Sequence, residues 1–289
     1  MKRVFPIIAA FLLLLSLVAC GSSDSSDTPS GSSNNTNTAN PKDITISETV
    51  LLDEGGVKIT AKSLDSDSLF GPEIKVLIEN NSDKDLTIQT RKASVNGYMT
   101  ETMFSVDVVA GKKVNDSIVF MSSALASCGI ETIADFEFAF HIFTTADWET
   151  YLDSSMIQLK TSIASTYQYT FDDSGDIVYN SGGIKIVAKG FAEEDSFMGP
   201  SMLVYLENDS GRDITVQARD VSVNGFMIDP IFSSDILNGK RAVSTITFMS
   251  EDLDANEITK IETLELSFHI FDFLDWDTIA DTDIITLSF

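Results

Sequence analysis

Histidine and cysteine are nearly missing, with two of each in 289 residues. That excludes a Cys/His zinc site of the usual spacing. Basic side chains are also scarce: 19 Lys and Arg stand against 44 Asp and Glu, a formal net charge of −25. Nucleic acid is excluded as a partner, because phosphate binding needs clustered positive charge. There is no G-x-S-x-G nucleophile motif and no EF-hand loop. Long apolar runs are lacking too. The single one, residues 4–18, is shorter than the roughly 20 residues of a membrane span. Yet 43% of the chain is apolar, enough for ordinary cores, so wholesale disorder is excluded. The length suggests two domains.

The apolar run follows Lys2 and Arg3 and exits through Leu17-Val18-Ala19-Cys20-Gly21. A charged start, an apolar middle and a small-residue exit read as a secretory signal over residues 1–19. The exit resembles the lipobox of bacterial lipoproteins. That resemblance implies lipidation of Cys20, which becomes the new N-terminus, and anchorage at the outer face of the cytoplasmic membrane. The alternative is an ordinary signal peptide with a chance cysteine. Cleavage would leave a charge of 17 − 44 = −27, which anionic headgroups repel, so two acyl chains would have to do the anchoring. Residues 20–42 are almost all Gly, Ser, Thr, Asn, Asp and Pro after the cysteine and read as a flexible tether.

The remainder is one unit written twice. Gly71-Pro72, Glu79-Asn80, Ser94-Val95-Asn96-Gly97, Phe120-Met121-Ser122, Phe140-His141-Ile142-Phe143 and Trp148 all recur 128 residues later. About two positions in five are identical from residue 71 to 160 without a gap. A period this long makes each copy a whole domain: repeat 1 over 43–160, a linker over 161–169 and repeat 2 over 170–289. Alternating segments such as Val57-Lys58-Ile59-Thr60-Ala61 and Phe136 to Ile142 have the period of half-buried strands. Asn96-Gly97 and Asn224-Gly225 signal hairpins. Seven or so strands per copy predict an all-β protein of two tandem β-sandwiches, with Phe136, Phe138, Phe140 and Ile142 facing inward, as do Leu264, Leu266, Phe268 and Ile270. The turns "IENNSDKDLTI" and "LENDSGRDITV" resemble those of immunoglobulin-like, telokin-like domains in lipoproteins of Gram-positive bacteria. The resemblance implies a sandwich fold and an envelope location, and no activity.

One parity conflict stands out. Leu86 and Ile88 place the apolar face on even numbers, Ala93 and Val95 on odd ones, and repeat 2 does the same. A strand changes faces only through an extra residue or a bend. A bulge or kink is therefore expected at residues 90–92 and 218–220.

Candidate chemistry is sparse. His141 and His269 are equivalents in different domains and read as half-exposed strand histidines. Cys128, opposite Asn256 in repeat 2, reads as an apolar filler rather than a nucleophile paired with His141. The acidic loops at residues 65–67, 172–176 and 193–195 read as solvated surface rather than calcium ligands, so no metal and no cofactor are expected. Trp148 and Trp276 read as plugs at one end of each sandwich, with an exposed platform for a sugar or protein as the other reading. Gln89, Arg91 and Asp107 recur as Gln217, Arg219 and Asp235. They form either Arg–Asp bridges pinning the kinked strand or a candidate recognition patch. The expected role is non-enzymatic: a membrane-anchored module presenting two domains to an envelope protein or polymer of unknown identity. A passive spacer and an enzyme with an unrecognised site are the alternatives, and the sequence leaves the oligomeric state open.

Overall fold

The computed structural model describes residues 44–192 and 196–289. The lipobox, the tether and the acidic stretch 193–195 lie outside the described residues. Among the described residues no helix is long and apolar enough to cross a membrane.

The chain is all-β. Repeat 1 runs β1 (Thr49–Glu54), β2 (Val57–Asp65), β3 (Glu73–Asn80), β4 (Leu86–Val95), β5 (Tyr98–Met99), β6 (Thr102–Met103), β7 (Ser105–Val108), β8 (Lys113–Phe120), α1 (Ser122–Ser127), β9 (Asp135–Thr144), β10 (Thr150–Asp153) and β11 (Ile157–Lys160). Repeat 2 runs β12 (Asp176–Ser181), β13 (Ile184–Phe191), β14 (Ser201–Asn208), β15 (Ile214–Val223), β16 (Phe226–Met227), β17 (Ser233–Ile236), β18 (Lys240–Thr247), α2 (Ser250–Ala255), β19 (Thr263–Asp272), β20 (Thr278–Asp281) and β21 (Ile285–Ser288).

In each repeat two antiparallel sheets face one another. One holds β1-β2-β3-β8, or β12-β13-β14-β18. The other is built on β4 and β9, or β15 and β19, with the short strands along their edges. The space between them is filled by separate apolar clusters, one per repeat. Phe136, Phe138, Phe140 and Ile142 point into the first; Leu264, Leu266, Phe268 and Ile270 point into the second, all fully buried. At roughly 25 cal/mol per Å² of apolar surface, these rings and branched chains supply most of the driving force.

The recurring dipeptides have local causes. Gly71 and Gly199 adopt φ of 135° and 141°, and a Cβ there would lie 2.0 or 2.1 Å from the carbonyl oxygen of Phe120 or Phe248. Only glycine lets the chain pass the β8–α1 or β18–α2 corner that closely. Asn80 is fully buried, and its Nδ2 donates to the carbonyls of Lys84 and Val108, both at 2.8 Å. Asn208 repeats this with Arg212 and Ile236 at 2.7 and 2.8 Å. One amide thus staples the β3–β4 and β14–β15 turns to the end of the neighbouring strand.

The parity conflict resolves as expected. Pairing of β4 with β9 slips between Arg91 and Ser94, and that of β15 with β19 between Arg219 and Ser222. Lys92 and Asp220 absorb the extra residue at φ of 56° and 52°. Apolar side chains on both sides of each bulge therefore reach the same core.

The segment after Lys160 packs back on repeat 1. Asn96 Nδ2 donates to the Tyr167 hydroxyl, and the Tyr169 hydroxyl donates to the Asp135 carboxylate. Phe171 then meets Tyr98 edge-on at 5.3 Å. Beyond it the sheets of the two repeats join. β5 lies parallel to β18, with the Arg241 amide donating to the Gly97 carbonyl at 2.9 Å. Tyr98, Val187 and Tyr205 form a small cluster of their own, bordered by Cys128 and Val243. Lys240 bridges to Glu137 at 2.6 Å across the same joint.

Candidate functional site

The sheet carrying β4, β9, β7 and β10 turns its other side to solvent. The register sets three polar and aromatic rows across it. Ser105, Gln89, His141 and Asp153 lie side by side, as do Asp107, Thr87, Phe143 and Thr150. Arg91 lies one row further, beside Ala139. Repeat 2 builds the same rows from Ser233, Gln217, His269 and Asp281, and from Asp235, Thr215, Phe271 and Thr278.

The contacts match as well. His141 Nδ1 and Asp153 Oδ1 are 2.5 Å apart, as are His269 Nδ1 and Asp281 Oδ1. The Thr87 and Thr215 hydroxyls donate to Asp107 and Asp235, each at 2.6 Å. Gln89 and Gln217 donate to Ser105 and Ser233 at 3.2 and 3.5 Å. Trp148 stacks on Phe143 at 5.2 Å and 17°, and Trp276 on Phe271 at 5.4 Å and 18°.

Several sequence expectations need correction. The tryptophans plug nothing: Trp148 is 74% exposed and Trp276 73%. Their φ angles of 63° and 62° swing the indoles out of the turn and lay them flat on the sheet's outer face. Bulky residues rarely adopt this conformation, and such strain collects at functional sites. The histidines are buried, not half-exposed, because the neighbouring Phe ring and the carboxylate enclose the imidazole. The Arg91–Asp107 bridge does not form. Asp107 pairs with Thr87, four residues along β4 from Arg91, which separates the two by about 13 Å. The same spacing separates Arg219 from Asp235. Gln89 and Asp107 therefore belong to one surface with Arg91 at its far end, and likewise in repeat 2. His141, Phe143 and Thr87 belong to that surface too, although sequence reasoning left them out. Their recurrence among the shared residues was the available signal.

Nothing here assembles a nucleophilic triad. Gln89 stands between Ser105 and His141, two strand spacings or about 10 Å apart. Cys128 is half-buried, and burial pushes its thiol up to about 11, which makes it inert. The loop at residues 172–176 is held by the protein's own cations. Lys189 Nζ bonds the Asp172 carboxylate at 2.9 Å and the Ser174 carbonyl at 3.1 Å, and Lys185 pairs with Asp173. Lys189 and Ser174 hold the Asp172 carboxyl well below the usual carboxylate range. No group of three or more metal-ligating side chains forms among the described residues. Clefts of about 480 and 620 Å³ lie under α1 and α2, sharing Pro, Ser, Leu and Ile linings. Their charged residues differ between copies: Asp67 and Glu131 in one, Asp254 and Lys260 in the other.

The chain matches no family model and no curated protein. Among solved structures it is similar to the YadV chaperone at 10% identity and a TM-score of 0.24, covering 81% of this chain and all of that one. It is also similar to a red sea bream transglutaminase at 8% identity and a TM-score of 0.20, covering 85% of this chain and 30% of that one.

Proposed function

We propose that the protein is a lipid-anchored binding module of the bacterial envelope, held through Cys20 at the outer face of the cytoplasmic membrane and recognising its ligand on the duplicated outer face. One observation carries the reading. Across β4, β7 and β9 the outward residues Thr87, Gln89, Arg91, Ser105, Asp107, Glu137, His141 and Phe143 are retained in repeat 2, while Lys92, Asp135 and Ala139 become Asp220, Thr263 and Ser267. Of the inward residues, Val95, Phe140 and Ile142 are retained, but most have drifted. Leu86 becomes Ile214, Ile88 Val216, Val106 Ser234, Val108 Ile236, Phe136 Leu264 and Phe138 Leu266. Packing constrains the core and the buried Thr87, His141 and Phe143, whereas exposed sheet positions such as Arg91, Ser105 and Asp107 are ordinarily free to vary. Two copies that changed more inside than at these exposed outward positions are held to that surface by something they touch. The signal-like N-terminus and the tether support the location.

The test uses the mature chain carrying Cys20→Ser, added to intact cells. Saturable binding is expected, and it should vanish when Gln89, Trp148 and their counterparts Gln217 and Trp276 are replaced. Binding that does not saturate, or that survives those changes, would leave a passive spacer. In parallel, Cys20→Ser should release the protein from membranes; full retention would sink the anchoring proposal.

A further inference from the structure

We infer that the two faces together seat one extended, basic protein segment, with a lysine or arginine side chain over each exposed indole. This rests on the binding role proposed above and names its ligand.

The first argument is charge. Trp148 stands between Asp147 and Glu149, and Trp276 between Asp275 and Asp277. All four acids are exposed, and so are Asp153 and Asp281 beside them. One side of each indole rests on a phenylalanine; the other is open. An ammonium or guanidinium above that open side meets the ring's negative face and carboxylates on either hand. A neutral sugar ring also stacks on indole and hydrogen-bonds carboxylates through its hydroxyls, but it carries no charge to offset the six acids, and an anionic chain is repelled.

The molecule already holds one such contact within itself. Lys92 of repeat 1 places its Nζ 5.4 Å from the centre of the Phe273 ring and 3.2 Å from Asp213 in repeat 2. An aromatic ring beside a carboxylate accepts a lysine there, at the meeting point of the two faces.

The second argument is continuity. A cleft of about 320 Å³ between the repeats is lined by Arg91 and Met99 from one and by Asp235 and Phe273 from the other. Arg91 ends the duplicated face of repeat 1, and Asp235 begins that of repeat 2. Met99, on the outer side of repeat 1's sheet opposite Ser94, packs onto the core of repeat 2, whereas Tyr98 packs outside it. The sandwiches are thus stepped by one sheet layer, and both faces look to the same side. An extended segment crossing from Trp148 past Gln89 and Arg91 enters the cleft and emerges toward Trp276.

Both tryptophans of the chain lie in the two sites, so indole fluorescence reads them directly. The probes are a 20-residue peptide alternating Lys and Ser, the same peptide with Glu for Lys, and a neutral β-linked hexasaccharide, added to the full mature chain. The Lys peptide is expected to perturb both indoles at one peptide per chain and to weaken with salt. Trp148→Gly and Trp276→Gly should each cost roughly tenfold or more in affinity, because simultaneous engagement is lost. Trp148→Phe should retain most of it. Two peptides per chain, with each Gly variant losing only one site, overturns the spanning segment. A response to the hexasaccharide with silence toward the Lys peptide overturns the ligand chemistry and leaves the binding role standing. Equal response to the Glu peptide overturns it as well. Silence toward every probe, together with no binding to cells, overturns the role itself.

Discussion

The same hairpin tip occurs twice in this chain with opposite fates. In repeat 1 it carries Tyr98 and Met99, and Tyr98 is 3% exposed because the tip is pressed against repeat 2. In repeat 2 it carries Phe226 and Met227, 47% and 70% exposed. The turn is the same in both, with Asn96 and Asn224 at φ of 50° followed by glycine. The difference lies in the receiving surface. The outer side of the β13-β14-β18 sheet offers Val187, Tyr205 and Val243; the equivalent side of repeat 1 offers Thr60, Leu77 and Asn115. A hairpin does not dock by virtue of its own sequence. It docks where the partner sheet has exchanged polar outward residues for apolar ones.

The largest test of this contrast is truncation at the two tips. Tyr98→Ala should destabilise the tandem by about 3 kcal/mol, in the range of large-to-small changes at buried aromatics. Phe226→Ala should stay within about 0.5 kcal/mol. Chemical denaturation of both variants checks this, and equal effects would mean that the docked tip contributes nothing.

Alkaline pH should open the same joint. Burial raises the Tyr98 and Tyr205 hydroxyls, and the Cys128 thiol sits at about 11 against an ordinary 9. The folded state holds these protons where the unfolded chain releases them. The Cys128 contribution is complete below about pH 9 and is lost as pH climbs through 11, and the tyrosines add to the loss only above their ordinary range. Cys128 alone accounts for about 2–3 kcal/mol over that window. Unfolding midpoints measured from pH 7 to 11 should fall accordingly. At pH 8 the thiol should react with iodoacetamide roughly a hundredfold more slowly than an unstructured cysteine, because so little is thiolate. Tyr98→Ala should speed that reaction. A rate unchanged by the substitution would separate Cys128 from the joint.

The smallest expected effect is at the exposed indoles. Trp148→Gly loses a stacked ring pair worth about 1 kcal/mol and relieves a left-handed backbone of similar cost. Stability should change by less than about 1 kcal/mol, and Trp276→Gly should behave alike. A large loss at either position would restore the plug.

How much of this was legible depended on the range of the interaction. The bulge at Lys92 and Asp220 could be read because face parity is a local property of a strand, and Leu86 and Val95 demand opposite parities. The duplicated patch was half legible. Gln89, Arg91 and Asp107 could be picked out as shared polar residues, but pairing Arg91 with Asp107 ignored that four strand residues hold them apart. The exposure of Trp148 could not be read, since a turn's φ decides whether a large ring folds in or out, and composition does not report it. The joint between repeats was also missed. Its trace was present in two outward positions, Val187 and Val243, that are apolar in repeat 2 alone, visible only by aligning the copies face by face.

That asymmetry also governs assembly. A contact between a tip on one unit and a sheet side on the next is heterologous, and heterologous contacts that recur without closing build open filaments. Here the contact is made once, inside the chain. The tip of repeat 2 remains exposed, but the matching side of repeat 1 presents Thr60 and Asn115 where the joint has Val187 and Val243. Desolvating the exposed Asn115 amide without a partner would offset the added apolar contact. The duplication therefore gives the two tips unequal sockets: the apolar side of repeat 2 receives the first, and the second faces a more polar side on repeat 1.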